Sequence, residues 1–245
     1  MQQPVLFAPL LMALALPAAA APAMKAGAAK IDITPEGPIW MAGYAARNRP
    51  SEGVLTPLWA KALALEDSRG NRAVIVTTDL IGLPMDLTDV VAAQAMEKYR
   101  LEREGLVFNS SHTHTGPVVR GNLSVLEAQQ PPHREAVAAY RQKLQQSLLA
   151  VIGAALADLA PAELAFGSGE ARFGVNRRQF TPKGVIIGVN PDGPTDPRVP
   201  VLRVTSPAGK VRAILFGYAC HNTTLTAEFY ELSGDYAGYA QAEIE

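Results

Sequence analysis

Apolar residues recur along the first half of the chain at the spacing of β-strands. Ala73–Asp79 is rich in β-branched residues and predicts a buried strand. Lys30–Thr34 alternates polar and apolar residues before it meets Pro35, which predicts a strand that enters a turn. Gly105–Asn109 predicts another short strand, whereas the pattern of Ala60–Glu66 fits either a strand or a helix.

Helical spacing is clearest in His133–Leu159, where apolar residues recur at steps of three and four. These residues are Val137, Tyr140, Leu144, Leu148 and Val151. Leu87–Tyr99 has the same spacing, so both segments predict amphipathic helices, and Pro161 ends the longer one. A third helix begins in Asp235–Glu245 and has no glycine cap, so we expect this chain to be the N-terminal portion of a longer protein.

The second half of the chain completes the predicted fold. Val199–Thr205 and Val211–Ala219 flank the turn sequence PAGK and predict a β-hairpin. The Gly-, Pro- and Arg-rich segment Gly167–Pro200 predicts a long loop. Because strands and helices interleave, we predict an α/β fold with a mixed β-sheet and flanking helices. In such sheets ligands bind at the carboxyl ends of strands, so we expect the active site there.

Composition and charge indicate the size of the core, the class of partner and the location of the protein. The 245 residues are 48% hydrophobic, which is enough for one large core. The net charge of −1 and the lack of a basic stripe argue against a nucleic-acid partner. Residues 1–23 contain an apolar run followed by small residues, which predicts a signal peptide. The remaining residues, 24 to 245, then form the domain, and we expect a secreted or periplasmic protein. The run is too short and Pro-broken to span a membrane, so we expect no integral membrane segment in the mature chain.

The placement of the few histidines points to chemistry. His112 and His114 lie just after the predicted strand Gly105–Asn109, and His221 lies just after Val211–Ala219. We expect these two strands to be neighbours, which would bring the histidines together. Neutral imidazole is a common zinc ligand, and zinc with an open position lowers the pKa of a bound water to about 7. Hydrogen bonding of the histidines to loop backbone is the alternative, and the second strand-end histidine favours the metal site.

Other reactive groups adjoin the histidines. Ser110 and Ser111 precede the histidine pair, so a serine-type ester or amide hydrolase is an alternative, although no G-x-S-x-G motif is present. Asp79 and Asp235 would either orient a metal-bound imidazole or serve as a strand-end turn and a helix N-cap. Cys220 points away from the histidine that follows it on an extended chain, so we predict a small buried side chain. The remaining histidine, at the start of the long helix, is predicted to be solvated.

Four motifs occur in a characteristic order: IDITPEGPIWMAGYAAR, SHTHTGP, GVNRR and FGYACHNTTL. Together they resemble the N-terminal catalytic domain of the neutral/alkaline non-lysosomal ceramidases over Lys30 to Glu245. The resemblance implies a zinc-dependent amidohydrolase that cleaves the N-acyl bond of ceramide, or of a related lipid or small-molecule amide, with a metal-activated water.

The same resemblance implies roles for individual residues. His112 and His221 match the two zinc-ligating histidines, and His114 matches a histidine that hydrogen-bonds the substrate near the metal. Arg177 matches a substrate-contacting arginine, and Gly43 matches a glycine whose backbone meets the substrate. The family's remaining zinc ligands, a Glu and a Tyr, fall beyond the end of this chain. PDGPTDPRVPVLRV departs from the ceramidase pattern, which indicates a ceramidase-like branch that acts on a substrate other than ceramide. A non-catalytic secreted module that binds a metal or ligand is a separate alternative.

Overall fold

The computed structural model describes residues 24–119 and 131–245. Residues 1–23, and with them the predicted signal peptide, lie outside the described residues. The strands, in chain order, are β1 (Met24–Asp32), β2 (Gly53–Val54), β3 (Trp59–Asp67), β4 (Arg72–Thr78), β5 (Leu106–Ser110), β6 (Ala160–Glu170), β7 (Asn176–Thr181), β8 (Gly184–Asn190), β9 (Arg198–Thr205), β10 (Val211–Phe216) and β11 (Glu231–Leu232). The helices are α1 (Met85–Tyr99), α2 (Pro131–Ala157) and α3 (Asp235–Ile244). None of the described helices has the length and apolar character needed to cross a membrane.

Seven strands form one mixed sheet in the order β10-β9-β6-β1-β3-β4-β5. The pair β4 and β5 is parallel, and the other neighbouring pairs are antiparallel. Helix α2 lies on β1 and β3 and also packs against α1. The predicted class, a mixed sheet with flanking helices, is therefore confirmed.

The segment Ala60–Glu66, whose pattern fitted either a strand or a helix, belongs to strand β3. Ala60, Ala62 and Ala64 are all buried in the main core together with Val74 and Val76 of β4. Their spacing of two places the three alanines on one face of the sheet, as a strand requires. Their small side chains leave room for α2 to lie close to this face.

Helix α2 buries the face that the sequence predicts. Leu144 and Leu148 are in the main core, and the Tyr140 hydroxyl donates a hydrogen bond of 2.8 Å to the Ile33 carbonyl. His133, predicted to be solvated, is instead partly buried, because its ring packs against an aromatic ring, that of Trp40, at 5.1 Å between centroids.

The segment Gly167–Pro200, predicted to be a loop, is mostly strand. It contains the end of β6, the hairpin of β7 and β8, and the start of β9. The prediction is wrong because most side chains of β6, β7 and β8 are exposed or only partly buried. A strand that does not bury one face carries no clean alternation of polar and apolar residues.

The predicted pairing of β5 with β10 is also wrong, because these strands lie at opposite ends of the sheet. The ends nevertheless approach one another. Arg212 of β10 donates a 2.8 Å hydrogen bond to the Ala26 carbonyl of β1, which is three places away in the strand order. Residues from both β5 and β10 line one cavity of about 770 Å³. The sheet is therefore strongly curled, and its two edges face each other across this cavity.

We expect Leu144→Ala to lower the free energy of unfolding by about 3 kcal/mol, because it leaves a cavity in the core between α2 and the sheet. Gln146→Ala, on an exposed position of the same helix, should change it by less than about 0.5 kcal/mol. Urea denaturation followed by circular dichroism measures both values. Equal losses in the two variants would show that α2 packs through another face.

Candidate metal centre

The structure brings three histidines together. One ring nitrogen each from His112, His114 and His221 lies within 4.8 Å of the others. The ring centroids of His112 and His221 are 4.5 Å apart, and those of His114 and His221 are 4.8 Å apart. The Nε2 atoms of His114 and His221 are separated by 3.0 Å. The two histidine motifs therefore form one cluster, although the strands that precede them are not neighbours.

His112 is oriented by the backbone of the adjacent strand end. Its N–H donates to the Leu80 carbonyl at 3.0 Å, and its φ of 60° turns the chain sharply after β5. The ring Nδ1 lies 2.6 Å from the Ile81 carbonyl oxygen, which can only accept a hydrogen bond, so Nδ1 carries the proton. The other ring nitrogen, Nε2, therefore has a free lone pair, which is the arrangement common in metal-binding histidines.

The two threonines that alternate with the histidine pair anchor this loop. Thr113 and Thr115 are fully buried, and both hydroxyls donate to the Ser233 carbonyl at 2.9 Å. The threonines thus fix the loop to the protein interior, while the rings of His112 and His114 lie in the cluster.

Asn222 connects the loop of His221 to the first histidine loop. This side chain is fully buried, and its amide nitrogen donates to the Gly234 carbonyl at 3.0 Å. Its backbone carbonyl accepts the N–H of His114 at 3.3 Å. Asn222 therefore holds the residue before it, His221, beside His114.

The two aspartates hold backbone segments around the cluster. Asp235 is buried as the first residue of α3, and its carboxylate accepts the N–H groups of Thr224 and Leu225 at 3.2 and 2.8 Å. Asp79 accepts the first N–H of β3 at 3.0 Å and the side chain of Gln241 at 2.9 Å, and burial raises its pKa. Within the described residues neither carboxylate forms a hydrogen bond with a histidine ring.

Gly43 lies directly against the ring of His114. Its φ of 101° belongs to the region that favours glycine, and a Cβ placed there would come within 2.5 Å of the His114 Cγ and Nδ1 atoms. The Ala42 N–H donates to the Gly116 carbonyl at 2.9 Å, which ties this segment to the histidine loop. Any side chain at position 43 would displace the imidazole.

Arg47 is a site residue that sequence reasoning missed. Its buried guanidinium donates to the carbonyls of Ala42, His114 and Phe229 at 2.7, 2.6 and 3.1 Å. Burial lowers its pKa, and its hydrogen bonds within the described part of the chain go to carbonyls. The signal available in the sequence is an arginine that ends the otherwise uncharged run MAGYAAR.

Arg177 lies in β7 and is partly buried. It lines a second cavity of about 610 Å³ together with His221. Burial, followed by the charges of His221, His112 and Arg177, lowers the pKa of His114 to about 4. Burial, followed by the charge of Arg177, also lowers the pKa of His221. Both rings are therefore neutral near pH 7, which is the form that binds metals.

The alternative nucleophiles receive no support from the contacts around them. The Ser110 hydroxyl lies 2.9 Å from that of Thr78, and the buried Ser111 hydroxyl, which lies near the Asp79 carboxyl, forms no hydrogen bond with a histidine ring among the described residues. Cys220 is partly exposed rather than buried as predicted, because it lines both cavities. Burial of its sulfur raises the pKa of the thiol, which disfavours the reactive thiolate.

Comparison with known families matches residues 24–245 to the N-terminal model of the neutral/alkaline non-lysosomal ceramidases. The chain is 29% identical over 232 residues to the neutral ceramidase of Pseudomonas aeruginosa, which covers 89% of this chain and 33% of that protein. It is 24% identical over 229 residues to neutral ceramidase A of Dictyostelium discoideum, covering 87% and 30% of the two chains.

Two solved structures share the fold. A ceramidase complexed with C2 superposes with a TM-score of 0.75 at 27% identity, covering 92% of this chain and 35% of that one. The crystal structure of the Pseudomonas aeruginosa neutral ceramidase gives a TM-score of 0.74 at 26% identity, with 92% and 36% covered. The chain thus spans about a third of the length of the relatives that it matches.

Gly43→Ala tests the contact with His114. We expect a loss of about 3 kcal/mol in the free energy of unfolding, because the new Cβ adds a collision with the ring to the strain of a positive φ. Gly70→Ala is the matched control, since Gly70 also has a positive φ, 86°, but open space around it, and should cost only about 1 kcal/mol. Chemical denaturation compares the two, and equal costs would contradict the contact.

Proposed function

The chain belongs to the neutral/alkaline non-lysosomal ceramidase family, and on this basis we propose that it provides the histidines of a zinc centre that hydrolyses an N-acyl amide bond. The substrate class is ceramide or a similar lipid amide. The observation that carries the proposal is the cluster of His112, His114 and His221 at the end of β5 and beside the segment that follows β10. The curated relatives with this activity are about three times as long as this chain.

The residues present fit a zinc ion. Zinc prefers nitrogen and sulfur donors, and three imidazole nitrogens converge here. The Ile81 carbonyl occupies Nδ1 of His112, so its Nε2 is ready to bind metal. The Nε2 of His114 faces that of His221 at 3.0 Å, whereas its Nδ1 is buried against Gly43 and has no partner among the described residues. By resemblance to the family, His112 and His221 hold the ion.

A zinc ion bound at this site supplies a Lewis acid that polarises a carbonyl and lowers the pKa of a water molecule to about 7. The chain's own residues position the substrate. His114, kept neutral by its surroundings, would hydrogen-bond a polar group of the amide. Arg177 lines the cavity beside His221 and would bind a second polar group, which fixes the orientation of the scissile bond. The backbone of Gly43, pressed against His114, would meet the substrate beside that ring, as the resemblance to the family implies.

Export of the protein is part of the proposal. The apolar run within residues 1–23 supports a signal peptide, and hence a secreted or periplasmic enzyme. N-terminal sequencing of the mature protein checks this, and we expect its first residue close to position 24.

Histidine variants of the full-length protein test the proposed division of roles. We expect His112→Ala and His221→Ala to lose bound zinc and at least about a thousandfold in hydrolysis of an N-acyl sphingosine, because each removes a metal ligand. We expect His114→Ala to retain zinc and to lose about a hundredfold in turnover, because it removes only a substrate contact. Elemental analysis and product release measure the two properties separately.

His133→Ala is the control, since this histidine lies at α2 beside Trp40, and it should keep both zinc and activity. Loss of zinc in His114→Ala would make His114 a third ligand. A wild-type protein that binds zinc stoichiometrically without turnover would instead support the non-catalytic binding module. Full activity in a zinc-free protein, abolished by Ser110→Ala or Ser111→Ala, would support the serine-type hydrolase.

A further inference from the structure

The hairpin of β7 and β8 stands apart from the rest of the described fold. Its two strands form a sheet of their own, and within the described residues they pack mainly on each other. At its base, the Gly174 N–H donates to the Tyr218 hydroxyl and the Asn176 side chain donates to the Pro194 carbonyl, both at 3.0 Å. A two-stranded hairpin is only marginally stable alone in water, so this one requires a surface to contact.

One face of the hairpin is mostly apolar and exposed. The register pairs Phe180 with Val185 and Arg178 with Ile187. Because side chains alternate along each strand and directly opposed residues point the same way, Phe180, Val185 and Ile187 share this face with Arg178. Phe180 and Ile187 are 76% and 77% exposed, and Val185 is also exposed. An exposed apolar cluster of this kind marks an interaction surface.

The charge of the hairpin indicates the kind of surface that it contacts. Residues 174–190 carry three cationic side chains, Arg177, Arg178 and Lys183, and no carboxylate. The aspartates that follow, Asp192 and Asp196, lie beyond β8, and Asp196 is paired with the arginine two residues further on at 2.7 Å. Apolar side chains next to cations that form no ion pair within residues 24–119 and 131–245 match an anionic lipid interface, where the apolar side chains enter the acyl region and the cations meet headgroups.

The base of the hairpin adjoins the metal centre. Arg177 of β7 and His221 line the same cavity. A lipid amide that leaves a bilayer beside the hairpin would therefore reach the histidine cluster from this cavity.

We propose that the hairpin Asn176–Asn190 docks on a bilayer that contains anionic lipids and holds the histidine cluster next to its lipid substrate. The identity of that substrate rests on the proposed function, whereas the docking surface is defined by the hairpin alone. The apolar face enters the interface, and Arg178 and Lys183 contact the anionic headgroups.

Vesicle co-sedimentation of the full-length protein tests this inference. The vesicles consist of phosphatidylcholine alone or with roughly a third of phosphatidylglycerol. We expect wild type to bind the anionic vesicles, and the double variant Phe180→Ser/Ile187→Ser to bind them about tenfold less tightly, because it removes apolar area from the interface. Lys183→Gln should weaken binding to the anionic vesicles selectively. Met85→Ser is the matched control, since Met85 is 76% exposed at the start of α1 and should bind as wild type does.

Three outcomes would overturn the docking surface. The first is a wild-type protein that stays in the supernatant with anionic vesicles. The second is a double variant that binds as tightly as Met85→Ser. The third is a double variant whose free energy of unfolding falls as far as that of Leu144→Ala, which would show that the face packs on protein.

Hydrolysis of a water-soluble, short-chain fluorescent N-acyl substrate separates this inference from the proposed function. We expect equal turnover of that substrate by wild type and by the double variant, because neither Phe180 nor Ile187 belongs to the metal centre. If wild type fails to hydrolyse any N-acyl substrate, the proposed function and the delivery of a lipid amide both fail, and the vesicle measurement still decides whether the hairpin docks.

Discussion

Two threonine hydroxyls that donate to one buried carbonyl, that of Ser233, hold the histidine loop in place. This carbonyl precedes α3, and the loop that carries His221 is tied to the same region through Asn222. The cluster therefore depends on a junction of three segments that are remote in sequence. Burial makes the junction strong, because a hydroxyl or carbonyl left unpaired there would cost about 1–3 kcal/mol.

The same junction contains a buried cation whose hydrogen bonds go to carbonyl oxygens. Arg47 joins the segment of Gly43, the loop of His114 and the segment before β11 through three carbonyls. A planar guanidinium can serve several acceptors at fixed angles, which a lysine ammonium cannot do with the same rigidity. The guanidinium also contacts two aromatic rings, which shield its charge. Its central carbon lies 4.9 Å from the ring centroid of Tyr44 and 5.8 Å from that of Tyr230.

The sequence predicts well those parts of the fold that bury one face. Strand β4 and helices α1 and α2 follow their apolar spacing, because each contributes to the core. The sequence does not predict β6 or the β7–β8 hairpin. Side chains such as Phe166 and Phe180 are exposed there, so polar and apolar residues do not alternate along these strands. A local pattern cannot report whether a strand exists when the core does not select its residues.

The candidate site shows a similar division. The histidines are found because strand-end loops concentrate them, but the approach of β5 and β10 depends on the curl of the whole sheet, which no local motif encodes. Arg47 is missed because its acceptors are backbone carbonyls, which every residue type carries.

The alternation of histidine and threonine in the loop after β5 has a consequence for protein engineering. The threonines anchor the backbone and the histidines present their nitrogens to the cluster, so anchoring and site chemistry are carried by separate positions. A designer can therefore replace the imidazole at 112, the proposed metal ligand, with a thiolate or a carboxylate while the anchors remain. A thiolate there would favour softer ions and a carboxylate harder ones, without a change to the rest of the fold.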